Sequence, residues 1–155
     1  MQSRMKSPAL TLPGAMDALL ALSKSVGHGE LPRQVLELTN LRASQINGCS
    51  VCVEMHARSL KKMGEADERI FATAAWRESP YYTEAERAAL ALAEAVTRLA
   101  DRPHPVPDDV WNEAARHYSQ AALAALVLSL GVVNMWNRLN AATQQMSGPW
   151  TAQHV

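Results

Sequence analysis

The sequence predicts an all-α fold, and three observations carry that expectation. Apolar residues recur at helical spacing along most of the chain. No stretch shows the two-residue alternation of a half-buried strand. The breaks between apolar runs carry helix-boundary chemistry: Asn47-Gly48, Lys61-Lys62-Met63-Gly64 and Thr83-Glu84-Ala85-Glu86. At 155 residues, with 48% apolar and 19% charged side chains, the chain fits one domain with a substantial core.

Taken in order, residues 1–13 lack periodicity and are expected to form a flexible arm before a helical domain over 14–145 and a tail over 146–155. Met16, Leu19, Leu20 and Leu22 give a short amphipathic helix over 15–26, stopped by Gly27-His28-Gly29. Pro32 suits the first turn of the next helix, where its missing N–H would have had no partner. Val35, Leu38, Leu41 and Ile46 form that helix's stripe, with Glu37 beside it. Asn47-Gly48 ends it, and a further helix follows from the cysteines to Gly64, with Lys61 and Lys62 in its last turn, where the dipole favours cations.

Ile70, Phe71, Ala74 and Trp76 mark a helix over 66–77, closed by Ser79-Pro80. Thr83 and Glu86 make a capping box for a helix reaching about Ala100, its apolar side Ala85, Ala89, Leu92, Val96 and Leu99, with Glu94 and Arg98 paired outside. Pro103, Pro105 and Pro107 make a rigid connector from Arg102 onward. Asp108, Asp109 and Glu113 then load the start of a helix reaching Tyr118. The last helix, 119–143, is apolar on nearly every side between Ala121 and Val133, a pattern of burial in the core and at a subunit interface.

Charge excludes some functions. Fifteen basic residues balance fifteen acidic ones without a basic stripe, so neither nucleic acid nor an anionic membrane is an expected partner. No uninterrupted apolar run reaches the roughly 18 residues that span a bilayer, and the N-terminus makes a poor signal peptide. A cytoplasmic location is expected, where a Cys-x-x-Cys more often serves redox chemistry or metal binding than structural bracing.

Both cysteines, Cys49 and Cys52, lie three apart at a helix start, with His56 one turn beyond Cys52. Positions 49, 52 and 56 share one helical face. The helix start favours a thiolate at Cys49. His56, four residues after Cys52, can take that thiol's proton, so nucleophile and base come from one helix. The neighbouring thiol can trap an oxidised Cys52 as a disulfide. Glu37, on the preceding helix, can orient His56. Two plainer readings compete: small core cysteines, or zinc held by Cys49, Cys52, His56 and a fourth ligand such as His28 or His104.

Trp76, Trp111, Trp136 and Trp150 read as core or interface anchors. Tyr81-Tyr82 is a candidate pocket lining near the cysteines. His104 reads as a loop residue, His117 as a cation at a helix C-terminus and His154 as part of the tail.

The spacing Glu37, eleven residues, Cys49-x-x-Cys52, three residues, His56 resembles the alkylhydroperoxidase AhpD-like family of the carboxymuconolactone decarboxylase superfamily. The similarity includes Ala43-Ser44-Gln45-Ile46-Asn47-Gly48, Met55-His56-Ala57, Thr83 to Arg87 and Trp136 to Asn140, and so covers most of the chain. It implies an all-helical fold assembled as trimers or hexamers and thiol-dependent reduction of hydroperoxides. Cys52 would be the peroxidatic thiol and Cys49 the one that resolves the sulfenic acid and meets an external dithiol or redox-protein reductant, with no bound cofactor and no metal. Well-studied members carry a histidine directly before the second cysteine; Val51 stands there, which shortens the relay to Glu37 and His56. The rival functions are a non-catalytic redox sensor or assembly protein on the same scaffold and, ranked lower because both cysteines are present, lactone decarboxylation.

Overall fold

The computed structural model describes residues 2–100 and 103–148. Trp150 and His154 lie outside them, as does Arg102. Among the described residues every regular element is helical: α1 (Pro8–Thr11), α2 (Ala15–Ser25), α3 (Arg33–Asn47), α4 (Ser50–Lys62), α5 (Asp67–Ala72), α6 (Glu84–Thr97), α7 (Asp108–His117) and α8 (Gln120–Thr143).

Helix α3 is central, packing on α4, α6 and α8. Its two apolar sides feed two cores. Val35 and Ala43 meet Ala89, Leu92, Leu126 and Leu130 between α6 and α8, while Leu38 and Leu41 meet Leu60, Ile70, Trp76 and Leu90. Each of the fully shielded leucines contributes roughly 1.5–3 kcal/mol. Chain reversals follow the boundary residues. Gly48 (φ 67°) and Gly64 (φ 83°) take the left-handed conformation that glycine enters without strain, and each closes a helix with the paired backbone hydrogen bonds of a Schellman turn. The capping box of α6 is complete, with Glu86 N–H donating to Thr83 Oγ1 (3.2 Å) and Thr83 N–H to Glu86 Oε2 (2.8 Å).

Several elements differ from expectation. Residues 2–13 carry the turn α1, and Arg4 N–H donates to Thr143 O of α8 (2.9 Å). Helix α2 ends at Ser25, as the Gly27-His28-Gly29 break implies, and the break itself is a 3₁₀ turn, Val26–Gly29. That turn lies so close to α8 that a Cβ on Gly29 would sit 2.2 Å from Ala125 Cβ. Helix α2 buries none of its side chains, and Leu20 and Leu22 are exposed. The helix expected over 66–77 divides into α5 and a 3₁₀ segment, Thr73–Glu78, inside which Ala75 leaves helical geometry (φ −120°, ψ 35°). The break turns Trp76 inward while Phe71 stays in solvent. Helix α6 ends at Thr97, which leaves Leu99 exposed.

Glu94 is the largest correction. It is not an outward partner of Arg98 alone but a buried carboxylate, 5% exposed, ringed by Arg42 (2.6 Å), Arg77 (2.6 Å), Arg98 (3.1 Å) and the Trp76 indole N–H (3.0 Å). Burial by itself would raise its pKa; hydrogen bonds from Arg77, Trp76 and Arg42 and the charge of Arg42 outweigh that and hold it at about 2. The carboxylate ties α6 to α3 and to the 3₁₀ segment.

Helix α8 has 24 residues and a stretch of mean hydropathy 1.4, enough by length and composition to cross a bilayer. However, 56% of that stretch is buried inside the fold. Its polar residues also face protein partners, with Ser129 Oγ donating to Asn40 Oδ1 and Asn134 Oδ1 accepting from Asn47.

Candidate active site

The junction of α3 and α4 sets the site. Asn47 is the last residue of α3 and Gly48 turns the chain, its geometry fixed by Gly48 N–H to Gln45 O (3.3 Å) and Cys49 N–H to Ser44 O (3.1 Å). Cys49 is then the N-cap of α4 rather than a residue within it (φ −84°, ψ 98°). Cys52 is the third helical residue, and its N–H donates to Cys49 Sγ (3.3 Å). The two sulfurs are joined as a disulfide, with the Cα atoms 5.4 Å apart. Cys49 and Cys52 are 2% and 1% exposed and pack with Val51, so the position held by histidine in well-studied relatives is an apolar contact here.

One turn along α4, His56 is buried, and its Nδ1–H donates to Glu37 Oε2 of α3 (2.7 Å). The carboxylate thereby keeps Nδ1 protonated and fixes the orientation of the ring. Glu37 and His56 are brought together directly. Among the described residues His56 makes no hydrogen bond to either sulfur; it shares their helix, one turn from Cys52.

Sequence reasoning missed two contributors. Asn140 of α8 reaches both sulfurs, its Nδ2–H lying 3.4 Å from Cys52 Sγ and 3.8 Å from Cys49 Sγ. Asn47 anchors the turn, its Nδ2 donating to Asn134 Oδ1 (2.9 Å) and Asn137 Oδ1 (2.8 Å), while Asn137 Nδ2 donates to Ser44 Oγ (3.1 Å). The available signal was Asn134, Asn137 and Asn140 at intervals of three on an otherwise apolar helix, one polar stripe aimed at the α3–α4 turn.

Other candidates lie elsewhere. Tyr82 is buried in the core with Leu38, Leu60 and Trp76, its hydroxyl on Arg69 O, and Tyr81 is exposed. Trp76 is a core anchor, while Trp111 is 42% exposed. Neither His28 nor His104 joins the cysteines: among the described residues no three His, Cys, Asp or Glu side chains converge on a common metal position. His117 pairs with Glu113 at 3.1 Å in the last turn of α7.

Comparison with known proteins places the fold and the family. A model of the carboxymuconolactone decarboxylase family matches residues 13–95. The uncharacterised protein YdfG of Bacillus subtilis is 35% identical over 130 residues, 84% of this chain and 87% of its own length. A crystal structure from Agrobacterium tumefaciens, of a protein of unknown function assigned provisionally as the antioxidant defence protein AhpD, superposes with a TM-score of 0.88 at 34% identity, covering 95% of this chain and 99% of that one. Alkyl hydroperoxide reductase AhpD of Solibacter usitatus is 39% identical over 59 residues, 38% of this chain and 33% of that protein. This chain belongs to the carboxymuconolactone decarboxylase family and is an AhpD-like member of it.

Proposed function

We propose that this protein is a thiol-dependent peroxidase of the alkyl hydroperoxide reductase type. The observation that carries the reading is the Cys49–Cys52 disulfide at the head of α4 with the His56–Glu37 pair, at 2.7 Å, one turn further on. A dithiol pair that already closes, beside an imidazole held in one tautomer by a carboxylate, is what two-electron reduction of a peroxide requires. Similarity to AhpD of Solibacter usitatus supports the same chemistry.

The cycle follows from the residues. The Cys52 thiolate attacks the terminal oxygen of the hydroperoxide; the O–O bond breaks, the alcohol leaves with a proton relayed by His56, and Cys52 becomes a sulfenic acid. The Cys49 thiol then attacks that sulfur, expelling water and forming the disulfide. An external dithiol, free or on a redox protein, reduces the disulfide by exchange and leaves oxidised. No bound cofactor or metal enters the cycle. Glu37 keeps Nδ1 protonated so that Nε2 faces the chemistry, a part it plays without a second histidine at position 51.

The chain works in the cytoplasm as a homo-oligomer, a trimer or hexamer. Support for assembly comes from apolar side chains left open on one chain: Leu10, Leu12, Leu20 and Leu22 around α1 and α2, and Trp111, Val127 and Leu128 on α7 and α8. The test is consumption of an organic hydroperoxide with a panel of dithiols. The parent turns over with at least one of them, and Cys52→Ser abolishes consumption. Undiminished turnover in Cys52→Ser refutes the reading.

A further inference from the structure

The geometry points to Asn140 as a further catalytic residue: its amide donates to the Cys52 sulfur and holds that sulfur as a thiolate once the disulfide is opened. This rests on the thiol chemistry proposed above but not on peroxide being its substrate. Three observations carry it. Asn140 is the one side chain that another helix delivers to the sulfurs among the described residues, and it reaches both, nearer to Cys52 (3.4 Å) than to Cys49 (3.8 Å). Its helix is fixed to the cysteine turn by Asn47, which bonds Asn134 and Asn137, two turns and one turn before Asn140, so the amide is placed before the chemistry begins. The sulfurs are also nearly sealed from water, which strengthens a hydrogen bond to a charged acceptor.

The consequence concerns electrons as well as protons. Reduction of the disulfide by an external dithiol delivers two electrons, breaks the S–S bond and, when Cys52 is kept as thiolate and Cys49 as thiol, takes up one proton. A disulfide sulfur accepts a hydrogen bond weakly and a thiolate strongly. Asn140 therefore favours the reduced pair over the disulfide and makes the disulfide easier to reduce. The two sulfurs receive different sets of donors. Cys49 takes the N–H of Cys52 at the helix start and the longer contact from the α8 amide, while Cys52 takes that amide at the shorter distance. The titratable groups that the surrounding elements bring to Cys52 are His56 on its own helix and, through His56, Glu37 of α3; α8 contributes the neutral Asn140.

The experiment uses the full chain without any peroxide. In a Cys49→Ser background, where Cys52 is the single thiol, the rate of iodoacetamide alkylation is followed against pH for the parent, Asn140→Leu and the nearly isosteric Asn140→Asp. Asn140→Leu is expected to raise the apparent thiol pKa by about one unit, the scale of a hydrogen bond to a charged group. Asn140→Asp raises it at least as far, since a carboxylate then faces the thiolate. With both cysteines present, Asn140→Leu makes the disulfide about tenfold harder to reduce in a dithiol buffer, ~30 mV for a two-electron couple. Unchanged titration in both variants, with an unchanged reduction equilibrium, overturns the inference and leaves Asn140 a packing residue. A shift in these readouts upholds it even where peroxide turnover fails, so the two proposals fall separately.

Discussion

Glu94 predicts a specific acid sensitivity. The perturbation is Glu94→Gln, which keeps the shape but removes the charge from the centre of Arg42, Arg77 and Arg98. In the folded chain the carboxyl sits at about 2 against an ordinary 4.5. At 1.36 kcal/mol per pH unit that gap is worth roughly 3 kcal/mol, and solvent screening at the exposed Arg77 and Arg98 reduces it to about 2 kcal/mol. The folded pKa is depressed, so the folded state binds this proton later than the unfolded state does. The stabilisation is therefore complete above the unfolded value of 4.5 and is lost as pH falls toward about 2.

The assay is urea unfolding followed by circular dichroism at fixed protein concentration, in steps from about pH 6 to about pH 1.5, a window covering both pKa values. The parent and Glu94→Gln should converge by about 2 kcal/mol across that window. The difference between the two curves isolates Glu94 from Glu86. The Glu86 carboxyl is also lowered, burial opposing and hydrogen bonds from Arg69 and Thr83 prevailing, and it acts in both chains. Parallel curves would refute the reasoning: they would mean that the three guanidinium groups confer no net preference for the charged form.

Two further outcomes follow from the site. Asn47→Ala removes two hydrogen bonds and leaves Asn137 Oδ1, on a fully buried residue, without its donor; a loss of about 2–3 kcal/mol is expected, seen as a melting temperature lower by roughly 5–10 °C. Glu37→Gln should lower peroxide turnover roughly 10–100-fold and His56→Gln by about 10²-fold or more, both measured at saturating dithiol; equal turnover in parent and His56→Gln would remove His56 from the chemistry.

How far the sequence reaches depends on the range of the forces involved. Helices α3, α4, α6 and α8 were legible because apolar spacing and caps are local signals, and Thr83 with Glu86 folds as its spacing implies. The pairings Cys49 with Cys52 and Glu37 with His56 were legible because their members fall within twenty positions and two joined helices. Glu94 was not. On a helical wheel it is one more acid beside Arg98, and only the arrival of Arg42 and Trp76, 52 and 18 positions away, makes its burial affordable. Asn140 failed for the same reason, lying 88 positions from the sulfur it approaches. Phe71 and Leu99 failed differently. Leu99 lies past the end of α6 at Thr97, so periodicity extrapolated beyond that end placed it on a stripe that no longer existed, whereas Phe71 lies within α5 on its solvent side.

The two helix starts at Cys49 and Thr83 explain why the spacing Cys-x-x-Cys suits this position. At Thr83 the N-cap hydroxyl accepts the N–H of the third helical residue, and that residue's own side chain, Glu86, folds back toward the cap. Cys49 and Cys52 occupy the same two positions of α4, and Cys49 Sγ accepts the Cys52 N–H in the same way. Capping geometry therefore brings the side chains of the N-cap and the third residue together whatever their chemistry. With cysteines in both places the sulfurs meet with Cα atoms 5.4 Å apart, inside the range a disulfide spans without backbone movement. Gly48, Asn47 and the asparagines of α8 hold the backbone beneath the pair. A helix start that would otherwise serve only as a cap thereby carries a disulfide whose two cysteines sit in the N-cap and third helical positions.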